Sequence, residues 1–131
     1  MIFEFKNGLI WISVTLEYEE KTFKIDQCIL DTGSETTAID IDCINFNYQK
    51  PSFIRRLYGL GGGLQEVICQ RVSKIVIDDT ELNDIEIEFG NLKSDFGING
   101  FIGNDVLSRF TFTVNFINHD IKMIFNNIKK V

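Results

Sequence analysis

The clearest signal along the chain is the alternation of apolar and polar side chains. From Ile10 to Tyr18, the residues Ile10, Ile12, Val14, Leu16 and Tyr18 alternate with Trp11, Ser13, Thr15 and Glu17. That is the period of two expected of a strand with one buried face. Glu19-Glu20-Lys21 predicts a turn, and Thr22 to Leu30 a second strand. This strand becomes wholly apolar at Cys28-Ile29-Leu30 and runs into Asp31-Thr32-Gly33-Ser34. Ala38 to Ile41 reads as a short strand, whereas Asp42 to Pro51 has no clean period and reads as irregular. Ile54 to Tyr58 and Gln65 to Ile77 flank Gly59-Leu60-Gly61-Gly62-Gly63, which predicts a hairpin with a glycine-rich tip almost free of bulky side chains.

The second half repeats the theme. After a turn at Asp78-Asp79-Thr80, Ile85, Ile87 and Phe89 alternate with Asp84, Glu86 and Glu88, giving one apolar face and one acidic face expected to be solvated. Asn104-Asp105 predicts the cap of a short helix running to Phe110. Phe112, Val114 and Phe116 then alternate with Thr111, Thr113 and Asn115, and Asn118-His119-Asp120 turns the chain into a last strand from Ile121 to Phe125. Trp11 and the many Phe residues follow strand period and read as core filling.

Composition agrees with an all-β class. Ten glycines against one proline, with Ile, Val, Phe and Thr recurring throughout, favour strands joined by glycine turns. At 131 residues, folding buries roughly two thirds of the unfolded chain's surface, enough for a self-sufficient core. No repeat or linker interrupts the pattern, so residues 1–131 are expected to form a single domain. The net charge of −6, with no basic stripe, argues against a nucleic-acid partner. Met1-Ile2-Phe3-Glu4-Phe5-Lys6 mixes charged with apolar residues, so neither a signal peptide nor a membrane segment is expected there, and a cytoplasmic location is the default. Cys28, Cys43 and Cys69 are odd in number and lack a C-x-x-C pair, which suits reduced, buried thiols better than a disulfide framework or a metal cluster.

Chemistry concentrates at Asp31-Thr32-Gly33-Ser34, where a carboxylate follows an apolar strand directly. Gly33 lets the backbone turn without a Cβ beside the carboxylate, and the Thr32 and Ser34 hydroxyls are available to orient it. The bland alternative is an Asx-type turn in which Asp31 only satisfies backbone N–H groups. Other sites are poorly supported. No Lys follows the Gly59–Gly63 stretch at P-loop spacing. Asp78, Asp79, Glu81 and Asp84 lack the spacing and central glycine of an EF-hand loop. The lone His119 lies in a predicted turn, where exposure is the expectation.

Three elements in order, Ile29-Leu30-Asp31-Thr32-Gly33-Ser34, Gly59-Leu60-Gly61-Gly62 and Phe101-Ile102-Gly103 followed by Asn104 to Phe110, resemble the retropepsin-like aspartic proteases. The resemblance spans about the whole chain, except Asp42 to Phe53, which aligns with nothing in the pattern. It implies a closed, barrel-like all-β domain with a flap hairpin and one short C-terminal helix. It further implies that Asp31 is the catalytic acid, that the Thr32 hydroxyl braces the site across a subunit boundary, and that Gly33 lines the substrate. Ser34, which stands where the retroviral enzymes usually carry Ala, would support the carboxylate. Gly59, Leu60, Gly61, Gly62 and Gly63 would close over a peptide, and Phe101, Ile102 and Gly103 would form the active-site wall.

Hydrolysis of this kind needs two carboxyls sharing a proton, one activating water and the other polarising the carbonyl. With one such aspartate per chain, the resemblance implies a homodimer whose two-fold axis brings two copies of Asp31 together. A peptide or protein is the implied substrate, with no metal or organic cofactor. The alternative is a dimer of the same fold that binds peptides or regulates a partner with little turnover.

Overall fold

The computed structural model describes residues 1–58 and 64–126. Ten strands carry the fold: β1 (Glu4–Lys6), β2 (Leu9–Tyr18), β3 (Lys21–Leu30), β4 (Ala38–Asp40), β5 (Phe53–Tyr58), β6 (Leu64–Ile77), β7 (Thr80–Gly90), β8 (Gly100–Ile102), β9 (Phe110–Asn115) and β10 (Asp120–Phe125). Two short helices join them, α1 (Leu92–Phe96) and α2 (Asn104–Leu107), and a 3-10 turn, Ile41–Cys43, follows β4. Eight strands form one sheet in the order β1-β2-β3-β8-β4-β7-β6-β5, and β2 also pairs with β6 at Thr15↔Val76 to Glu17↔Lys74. That extra pairing joins the sheet's two halves into a closed, barrel-like ring, which leaves fewer open edges. The β9–β10 hairpin is a separate two-stranded sheet tied to the N-terminus by Phe3 N–H donating to His119 O and Ile121 N–H to Met1 O.

Strands β2, β3, β4, β5, β6, β9 and β10 lie within a residue or two of the positions that alternation predicts, because burial follows the same period. Strand β7 starts at Thr80, four residues before its alternation begins, and the short β1 and β8 lie where no strand was predicted. Val14, Leu16, Tyr18 and Ile25 meet Ile75, Ile77, Ile87 and Phe89 in the main core. A bulge interrupts the β2–β3 ladder, where the register passes from Val14↔Ile25 to Ile12↔Cys28 with Gln27 at φ 58°. One extra residue in β3 switches which parity faces the core, so Ile25 is followed inward by Cys28 and Leu30. Ile29 is thereby turned to the other face, where it packs on a second cluster of Trp11, Ala38, Leu92 and Ile98. The apolar run Cys28-Ile29-Leu30 is continuous because both of its faces are covered.

Several expectations need correction. Helix α1 lies where no helical period was evident; it exists because buried Asp40 accepts from Lys93 N–H (2.9 Å) at its start and Gly97 takes a left-handed φ of 71° at its end. Helix α2 stops at Leu107 rather than Phe110, and its N-cap is Gly103 rather than Asn104. Phe3, Phe89 and Phe110 are buried, but Phe5, Phe53, Phe96, Phe116 and Phe125 are exposed. The acidic face of β7 is not uniformly solvated: the Asp84 side chain is 76% exposed, Glu86 38% and Glu88 only 3%. His119 is exposed, as expected in a turn, and stacks on Phe3. Among the described residues, no helix is long and apolar enough to cross a membrane.

The three cysteines are free thiols; Cys28 and Cys69 are buried and Cys43 partly so. Burial pushes Cys28 up to about 12 and Cys69 up to about 11, from an ordinary value of 9.0. Buried Tyr18 is also pushed up, chiefly by loss of hydration. Folded-state values raised in this way favour the native state fully below pH 9 and progressively less as pH rises towards 11–12. Urea unfolding at about pH 8 and about pH 10.5 is expected to show a loss on the order of 1–2 kcal/mol per buried thiol. Equal stability at the two pH values would contradict the burial of these groups.

Candidate active site

Asp31 is the residue at which β3 leaves the sheet. Its N–H donates to Ile102 O (2.9 Å), extending the parallel β3–β8 pairing of Leu30 with Ile102 by one hydrogen bond. Ser34 N–H donates to Asp31 O (3.2 Å), closing a turn, and Gly33 N–H donates to Asp31 Oδ1 (2.9 Å). A Cβ on Gly33 would stand 3.2 Å from that Oδ1, so glycine is what allows the carboxylate so close to its own backbone. Asp31 is half-buried, while Thr32 and Gly33 are exposed at the tip. The carboxylate is thus fixed through one oxygen and leaves Oδ2 unengaged by any described residue, an arrangement suited to receiving a proton or orienting water.

Ser34 is placed differently from the expectation that it supports the carboxylate. Its hydroxyl donates to Thr36 O (2.8 Å), bracing the loop's outgoing arm instead. A second clamp comes from the Phe101-Ile102-Gly103 segment and the start of α2. Asn104 Nδ2 donates to Thr32 O (2.7 Å), Asn104 N–H to Ser34 O (2.8 Å) and Asp105 N–H to Glu35 O (3.2 Å). Beneath them, the fully buried Thr37 hydroxyl accepts from Gly103 N–H (3.0 Å) and donates to Asp105 Oδ1 (2.7 Å), while Thr37 N–H reaches Asp105 Oδ2 (3.1 Å). The aspartate's turn is therefore held from both sides by a motif some 70 residues away in sequence.

Neither Thr37, Asn104 nor Asp105 stood out as a site residue in the sequence. Asp105 was visible only as a helix cap, and what identifies it is a partner 68 residues away. Replacing Thr37 with Val keeps the shape but strips a donor from Asp105 and an acceptor from Gly103 N–H in a buried place. The expected cost is about 1–3 kcal/mol, because the buried Gly103 N–H loses its acceptor, while the partly buried Asp105 Oδ1 keeps Val106 N–H (2.8 Å) as a donor. Thermal unfolding of Thr37→Val checks this, and a variant as stable as the parent would contradict the clamp.

The sequence-derived residues fall into two groups. Asp31, Thr32, Gly33 and Ser34 are brought against Ile102 and Gly103, with Phe101 half-buried beside Ile29 on the paired strand. Ile29, Phe101, Trp11, Leu9, Phe96 and Ile98 line an apolar cavity of about 460 Å³ on this side. Gly59, Leu60, Gly61, Gly62 and Gly63 lie outside the described residues. The strands that bracket them do pair as a hairpin, from Phe53↔Cys69 to Tyr58↔Leu64.

No family model matches the chain, and no curated protein matches it in sequence. Among solved structures, the chain is similar to a retropepsin-like aspartic protease from Rickettsia conorii, with a TM-score of 0.62 and 21% identity over 87% of this chain and 82% of that one. The all-β architecture, the closed ring of strands and this likeness define a retropepsin-like acid protease fold.

Proposed function

We propose that the protein is an aspartic endopeptidase acting as a homodimer, with Asp31 from each of two chains forming the catalytic pair. The observation that supports this most is the construction of the Asp31 turn on a retropepsin-like fold: carboxylate at a strand end, one oxygen held by Gly33 N–H, and the loop clamped by Gly103 and Asn104. With one Asp-Thr-Gly-Ser in the sequence, the second carboxylate of the proposed pair comes from another copy of the chain. In this reading, one carboxylate takes a proton from water as it attacks the peptide carbonyl, while the other, protonated, donates to the carbonyl oxygen. Thr32 of each chain braces the partner's loop, Gly33 lines the cleft, and the glycines at 59–63 close over the substrate and donate backbone hydrogen bonds. No metal or organic cofactor takes part.

Incubation of the purified protein with a peptide library between about pH 4 and pH 7 tests the reading, with cleavage read by mass spectrometry. Cleavage slowed by a statine-type transition-state mimic is expected. Because the site needs two chains, specific activity is also expected to fall on dilution in step with the dimer fraction seen by sedimentation. A cleaving monomer would refute the intermolecular pair, and peptide binding without cleavage at any pH would leave a recognition module in its place.

A further inference from the structure

Glu88 is the least expected side chain in the fold. It lies on the face of β7 that alternation assigns to solvent, yet the residue is 2% exposed. Its Oε1 accepts from the Thr36 hydroxyl, whereas Oε2 has no hydrogen-bond donor among the described residues. The nearest cation, Arg55 Nη1, stands 3.6 Å away, and the same guanidinium also reaches Glu86 Oε1 at 3.5 Å. A carboxylate withdrawn from water is costly unless its oxygens are hydrogen-bonded, so one half of this group is left incomplete.

The group lines a cavity of about 310 Å³ bounded by Thr36, Arg55, Glu86, Glu88, Asp105 and Arg109, with the Arg71–Asp84 pair at its rim. Four carboxylates (Asp84, Glu86, Glu88, Asp105) face three guanidinium groups (Arg55, Arg71, Arg109), an excess of one negative charge. Arg71 is committed to Asp84 through a 2.8 Å contact, and Asp105 to Thr37. The cavity sits between the arm that leaves the Asp31 turn, through Thr36, and the first strand of the glycine-tipped hairpin, through Arg55. On the endopeptidase reading, a peptide lies between that turn and that hairpin, beside this cavity.

We propose that this cavity is a specificity subsite that takes a lysine or arginine side chain of the peptide, whose cation donates to Glu88 Oε2. Arg55 holds the place in the empty site at ion-pair distance and keeps Glu86 when the ligand enters. The ligand's being a peptide rests on the endopeptidase reading; the recognition of a cation rests on Glu88 and the charge balance.

The test uses full-length Asp31→Asn protein, so that peptides bind without being cut. In a set of octapeptides, each position in turn carries lysine or its uncharged analogue norleucine, and affinity is measured by fluorescence anisotropy. One position is expected to prefer lysine by about tenfold or more, the yield of a hydrogen bond to a charged group. That preference should vanish in the Glu88→Gln background, which keeps an acceptor for Thr36, and grow in Arg55→Met. No lysine preference at any position, one that survives Glu88→Gln, or no binding of any peptide overturns the proposal. Should Glu88→Gln fail to fold, Arg55→Met decides, an unchanged preference being the refuting result. Cleavage by the unmodified protein is scored separately: its absence removes the endopeptidase reading, and cleavage with no lysine preference removes only this one.

Discussion

On the proposed endopeptidase function, Asp31→Asn is expected to abolish peptide hydrolysis while leaving the fold and the proposed dimer in place. Asparagine has the same size and keeps a carbonyl oxygen where Asp31 Oδ1 accepts from Gly33 N–H, so the turn should persist. What it loses is the ability to exchange a proton, and in a symmetric dimer both members of the pair lose it together. Acid–base catalysis by positioned side chains contributes about 10²–10⁴-fold per role, and here both roles disappear, so a fall of at least about 10³-fold is expected. The melting temperature should move by no more than a few degrees, since Asp31 is half-buried and its structural hydrogen bond is retained. A variant that cleaves within tenfold of the parent would exclude the Asp31 pair as the chemistry. A variant that unfolds would leave the question to the binding of a statine-type mimic by the parent.

How much of this was legible beforehand depended on whether the cause was local. Strands β2, β3, β6 and β7 were readable because burial imposes a period of two on side chains adjacent in sequence. The carboxylate turn was readable because Asp31, Gly33 and Ser34 are neighbours, and its significance came from a second motif, Phe101-Ile102-Gly103, in the right order. Helix α1 was not readable: with a single buried residue, Leu92, in five positions it has no period to detect, and its start is fixed by Asp40, which lies 53 residues earlier. The bulge at Gln27 was equally hidden, because a change of parity inside an apolar run leaves no trace in the pattern. Glu88 gives the sharpest case. Alternation assigns it outward correctly, but whether outward means solvent was decided by Thr36 and Arg55, brought over it from elsewhere in the chain.

The same distinction makes Gly103, among the described glycines, the position where a single methyl group should do most damage. Its φ of −99° is open to any residue, so conformational freedom is not why glycine is there. The reason is proximity. A Cβ at 103 would lie 2.2 Å from Thr36 O, 2.6 Å from Thr36 C and 2.9 Å from Ser34 O, all backbone atoms of the arm leaving the Asp31 turn. None can rotate aside as a side chain would, and the arm is pinned by Asn104 N–H on Ser34 O and by Gly103 N–H on Thr37 Oγ1. Relieving the clash means separating the two segments and giving up those hydrogen bonds. Gly103→Ala is therefore expected to cost about 3 kcal/mol or more, seen as a melting temperature about 10 °C lower, with peptide cleavage lost at temperatures where the protein is still folded. Gly33→Ala is the informative contrast: its new Cβ would meet only the Asp31 Oδ1 atom at 3.2 Å, a side-chain atom that can shift. That variant should stay close to parental stability and lose activity through displacement of the carboxylate alone. A Gly103→Ala protein as stable as Gly33→Ala would mean that the two segments do not approach as closely as the clamp requires.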